Sequence, residues 1–135
     1  MDAFDADVLI YAVEVGNPLG EAVAALFDSG EAVDRAVGVG SVLLMPEVLT
    51  KPLRDGAVDV LVALRQLLSQ LDLREVTERV ASLSVTLAAA YGLRAADAIH
   101  LATAVHTGAD RFITNNRDDF PKSIAEVAVA YPDEL

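Results

Sequence analysis

The chain has 135 residues, 53% of them hydrophobic with Ala, Val and Leu dominant, which predicts one domain over 1–135 and leaves little room for a second core. It contains no cysteine, so disulfides and thiolate metal sites are excluded. Its 21 acids against 10 bases give a net charge of −11, which argues against a general affinity for nucleic acid.

Residues 3–8 read as a short strand, with a helix from Leu9 onward. Pro18 suits the first turn of the next helix, where Leu19, Ala22, Val23, Leu26 and Phe27 fall at helical spacing and Gly30 helps to end it. The Val- and Leu-rich segment 37–45 reads as a buried strand, after which Pro46 opens a short helix that Pro52 closes. A longer helix is expected over 58–70 and a brief strand over 71–76. Thr77 is a good N-cap, Glu78 suits the first turn behind it, and Gly92 supplies the stop. A helix over 95–107, closed by Gly108, precedes a strand at 111–114, a polar loop at 115–120 and an edge strand at 127–131. Strands separated by helices predict a parallel sheet covered on both faces, an α/β/α sandwich.

No apolar run approaches the roughly 20 residues that span a membrane, and the N-terminus lacks the basic and apolar regions of a signal peptide. A cytoplasmic protein with no membrane partner is expected.

In open parallel sheets, ligands collect beyond the C-terminal ends of the strands. That rule selects from the acids. The first strand ends near Asp5 and Asp7, the second leads into Glu47, Asp97 opens the helix before the fourth strand, and that strand leads into Thr114, Asn115, Asn116, Asp118 and Asp119. Crowded carboxylates raise one another's pKa or bind a hard divalent cation, and a cation so held locally reverses the acidic field. Each residue also has a plainer role. Asp5 and Asp7 are helix caps, Glu47 sits in a first turn with Lys51 four residues on, and the Asn and Asp residues of 115–119 are ordinary turn formers. Asp97 is harder to explain that way, because its helix is apolar nearly all round. His100 lies three residues on, on the same side; both it and His106 read as core residues or supports rather than ligands.

These residues resemble a known family. Asp5-Ala6-Asp7-Val8-Leu9-Ile10-Tyr11 looks like the opening motif of PIN domains, and the segment from Leu93 to Ala104, centred on Asp97, is similar to their third motif. The segment from Phe112 to Phe120 resembles their T-x-[DN]-x-x-D-F ending, and Glu47 falls where the family's second acid belongs. The resemblance covers essentially the whole chain, whose length suits a stand-alone toxin of the VapC type. It implies an endoribonuclease dependent on Mg²⁺ or Mn²⁺, a homodimer and a small antitoxin partner. It makes Asp5 and Asp97 the principal metal ligands and Glu47 a further ligand or water-orienting acid. Asn116 takes a position that is often Asp in the family, with Asp7, Thr114 and Asp119 as supporting residues. Arg94, Arg111, Arg117 and Lys122 cluster in sequence around these acids and are candidates for RNA phosphate contacts.

The alternative is a non-catalytic or housekeeping PIN-domain protein that binds or processes RNA, with Asn116 as a mark of decay. A signalling receiver domain also gathers acids at strand ends. It needs a phosphoryl-accepting Asp at the end of a middle strand and a late Lys beside it, whereas the only lysines here are Lys51 and Lys122 and Asp55 lies in a Pro/Gly-flanked turn.

Overall fold

The structure, a computed structural model, describes residues 1–28 and 35–135. In chain order the elements are β1 (Asp2–Phe4), α1 (Ala6–Val13), α2 (Pro18–Asp28), β2 (Gly38–Ser41), α3 (Leu44–Arg54), α4 (Val58–Ser69), β3 (Leu71–Arg74), α5 (Glu78–Tyr91), α6 (Ala95–His106), β4 (Arg111–Ile113) and β5 (Ala128–Ala130), then a 3₁₀ turn at Pro132–Glu134. The five strands form one sheet in the order β3-β2-β1-β4-β5, with every pair parallel.

Successive residues of a strand face opposite sides, and here the alternation builds two cores. Ala3, Phe112 and Val129 join the cluster beneath α5 and α6, where Phe112 meets Phe120 edge-on at 5.0 Å. Their neighbours Phe4, Ile113 and Ala130 join the cluster beneath α1 to α4. The α/β/α sandwich expected from the sequence is the observed architecture.

Local chemistry explains where the element ends differ from expectation. β1 stops at Phe4 because Asp5, still extended, caps α1 by accepting the Ala6 N–H at 2.8 Å, so residues 6–8 are helical rather than strand. β2 stops at Ser41, whose hydroxyl accepts the Leu43 N–H at 3.1 Å, and Leu44 and Met45 already belong to α3. Pro52 does not close α3, which continues to Arg54; so near the helix end the lost N–H matters little, and Asp55 N–H still reaches the Lys51 carbonyl at 2.9 Å. Thr77 does cap α5, accepting the Val80 N–H, and Gly92 ends it in the left-handed conformation at φ 67°. The end assigned to Gly30 lies outside the described residues. Gly20 lets α2 press on α1: a Cβ there would land on the Tyr11 carbonyl.

No single helix among the described residues is long and apolar enough to cross a membrane. The pair α1 and α2 together has the length and composition, but is bent by 95° at its break.

Candidate active site

The chain builds β1, β2 and β3 in one direction across the sheet, then returns through α5 and α6 to lay β4 on the other side of β1. The strand order therefore reverses between β1 and β4, and the crevice beyond their C-terminal ends is where such sheets bind ligands. Asp5 follows β1 directly and is 5% exposed. Its Oδ1 accepts the Ala6 N–H, and its Oδ2 accepts the hydroxyl of Thr114, the first residue after β4, at 2.8 Å. Thr114 Oγ1 in turn accepts the Asn116 N–H at 3.1 Å.

Other acids gather around this pair. Asp7, in the first turn of α1, accepts the Asn115 N–H on Oδ2 at 3.0 Å, while its Oδ1 is buried without a partner among the described residues. Asp97 comes from the first turn of α6, and Glu47 from the first turn of α3 in the opposite helical layer. Asn116 does not present its amide freely. Its Nδ2 donates to Asp119 Oδ2 at 2.8 Å and its Oδ1 accepts the Asp119 N–H, so it holds a further acid in place.

The electrostatics show that these groups share one site. Burial raises the Asp5 pKa; positive charge on His100 and the bonds from Thr114 and Ala6 oppose this, and Glu47 adds to it. Burial, then the field of Asp5, pushes Asp7 up to about 7. Asp97 is raised by burial and by Asp5 and Asp119, relieved by His100 and raised again by Glu47. Five carboxylates thus repel one another at the switch point.

Sequence reading took His100 as a core residue or support but did not find its partner. His100 is buried, and its Nε2 lies 3.0 Å from Glu47 Oε2. Burial works against charge on the ring, but the bond to Glu47 and the fields of Asp5, Glu47 and Asp97 outweigh it and raise its pKa. Spacing on α6 placed His100 beside Asp97, but Glu47 is 53 residues distant and only the fold brings it in.

The basic residues need correction. Arg111 opens β4, at the opposite end of the strands from the acids, and forks onto Asp2 at 3.0 and 2.9 Å, so it is not placed to bind RNA at this site. Arg117 is engaged by Asp133 at 2.7 Å and Lys122 by Glu134 at 2.6 Å, and both stand against the Tyr131 ring. Their charges are already partnered. Arg94 is exposed at the N-cap of α6 and forms no ion pair among the described residues.

Among the described residues, no three His, Asp or Glu side chains already stand at the spacing of a closed metal-ligand set. The donor chemistry nevertheless fits a hard divalent cation. The site offers carboxylate oxygens, one buried Asp7 oxygen lacks a partner, and the mutual repulsion would be relieved by positive charge.

Fold and site together define an α/β/α domain with an acidic cluster at the switch point of a five-stranded parallel sheet. The PIN domain family model matches residues 3–126, and the chain belongs to the PIN-domain family. Membership supports a hydrolase acting on nucleic acid. Two solved structures share the fold. A chain in a toxin–antitoxin complex from Klebsiella pneumoniae superposes with TM-score 0.70 at 23% identity, covering 98% of both chains. A chain in VapBC2 from Rickettsia felis, bound to a DNA fragment from its promoter, superposes with TM-score 0.70 at 15% identity, covering 96% of this chain and 97% of that one. No curated protein matches the chain.

Proposed function

We propose that this chain is a divalent-metal-dependent endoribonuclease of the cytoplasm and the toxin of a toxin–antitoxin pair. The observation that carries the proposal is the convergence of Asp5, Asp7, Glu47, Asp97 and Asp119 at the switch point, with Asp5 fixed on both oxygens. Asp5, Asp97 and Glu47 would hold Mg²⁺ or Mn²⁺, which supplies a more acidic bound water and stabilises charge on a phosphate. The chain's own groups prepare that site. Ala6 N–H and Thr114 lock Asp5, the Asn116 amide aims Asp119, and Asp97 stands half-buried in the first turn of α6. Glu47, on α3, would help to position the attacking water. In the presence of Mg²⁺, Asp97→Asn should abolish RNA cleavage and leave the circular dichroism spectrum unchanged, because the replacement is nearly isosteric. Full metal-stimulated cleavage by that variant would remove Asp97 from the mechanism.

The partner side of the proposal is supported by the likeness to chains from toxin–antitoxin complexes. The antitoxin would dock on the helices at 8–27 and 46–70. There a groove of about 660 Å³ is lined by Ile10, Val13, Val48, Pro52 and Leu64, and Glu47 stands on its wall. Val60 of α4 also lines the groove, and α4 exposes Val58 and Val62 beside it. An Arg or Lys of the antitoxin would then reach the carboxylates near Asp5 and Asp97, an Arg pairing with two at once.

A further inference from the structure

His100 sits one turn beyond Asp97 on α6, and its side chain is 0% exposed. Its ring makes one hydrogen bond, across to Glu47 on α3, while Nδ1 is buried with no partner among the described residues. An ionised carboxylate has no proton to give, so Nε2 carries the hydrogen and donates. The bond joins the two helical layers just beyond the strand ends, where the acids meet.

Glu47 needs such a tether. Its side chain is 32% exposed, on a long, flexible stem that would otherwise spread over several rotamers in solvent. Asp5 is locked by a backbone N–H and a threonine, and Asp119 by an amide. For Glu47, His100 is the one hydrogen-bond partner among the described residues, and it occupies only Oε2. A ring packed in the core cannot follow the carboxylate outward, so it fixes where Glu47 ends.

We propose that His100 is a positioning residue: through its Nε2–H it holds the Glu47 carboxylate at the acidic cluster in the orientation that receives a divalent cation. This rests on reading the cluster as the metal site of a nuclease. Groups that orient a metal's carboxylates typically change affinity 10- to 100-fold when lost, roughly the range expected here.

The test is Mn²⁺ binding by calorimetry, without RNA, on the wild type, His100→Leu, His100→Gln, Glu47→Gln and the double variant His100→Leu/Glu47→Gln, with circular dichroism to confirm folding. His100→Leu should weaken Mn²⁺ binding by about tenfold or more. His100→Gln, whose side-chain amide reaches a similar point, should recover most of that loss. In the Glu47→Gln background, His100→Leu should add almost nothing, since the two act as one unit. Wild-type affinity in His100→Leu, or an undiminished effect without Glu47, overturns the proposal while leaving the metal reading intact. A wild type that binds no Mn²⁺ overturns both. Should His100→Leu fail to fold, ¹H–¹⁵N NMR of the wild-type imidazoles decides. An Nε2–H signal that moves in Glu47→Gln and on adding Mg²⁺ supports the tether, and an Nδ1–H tautomer refutes it.

Discussion

Replacing Asp7 with asparagine isolates the strain that the acidic cluster places on the fold. Asp7 is pushed from an ordinary 3.8 to about 7 by burial first and by the Asp5 carboxylate second, with Asp97 adding to both. At ~1.4 kcal/mol per tenfold change in acidity, holding this group ionised costs the metal-free fold about 4 kcal/mol above pH 7. The sign follows from the raised folded pKa. Below 3.8 both folded and unfolded chains carry the proton and nothing is lost; as the pH rises from 3.8 through 7 the unfolded chain releases it more readily, and stability falls. Asp7→Asn keeps an oxygen for the Asn115 N–H and discards the charge. In EDTA at pH 8 it should therefore stabilise the protein by up to about 4 kcal/mol, less what its new buried amide hydrogens fail to satisfy. The gain should fade towards pH 4. Urea denaturation at both pH values measures this directly, and saturating Mg²⁺ should narrow the gap at pH 8. An equal shift at pH 4 and pH 8, or destabilisation at both, would show that the Asp7 carboxyl carries no such burden.

Asn116→Asp should raise Mn²⁺ affinity or turnover while lowering metal-free stability, since the Asn116–Asp119 bond becomes a repulsion; calorimetry and melting curves that show neither change would place Asn116 outside the metal's reach. Gly20→Ala should destabilise the protein by about 1–3 kcal/mol in urea, as its Cβ forces α2 off the Tyr11 carbonyl. Expression of the chain alone should slow growth and co-expression of the neighbouring gene's product should restore it; a harmless chain and no small partner in pull-downs from the native host would end the toxin proposal. Val60→Asp, on the groove wall, should weaken capture of that partner while RNA cleavage by the isolated chain continues.

Much of the frame was legible because local chemistry repeats it. The Thr77 cap and the Gly92 stop each follow from residues within a turn of one another. The boundaries at Asp5 and Ser41 were harder, because residues 6–8 and 42–45 are as apolar in a buried helix as in a strand. Arg111 shows a different limit. It stands three residues before Thr114 in sequence, but an extended strand carries it about 10 Å away, to the wrong end of the sheet. The Glu47–His100 bond was invisible for the opposite reason, being made between residues that only the finished sandwich brings together.

The short central strand has a consequence for control. Ala3 and Phe4 each anchor a different core, and the very next amide, Asp5 N–H, bonds the Ile113 carbonyl at 2.9 Å. That amide should be among the last to exchange with deuterium, opening only when the whole domain does. Asp5 is thus as immobile as the fold itself. Glu47 rides on an outer helix and depends on a single bond, so an inhibitor that needs to disarm the site has one adjustable handle, and it lies on the groove side.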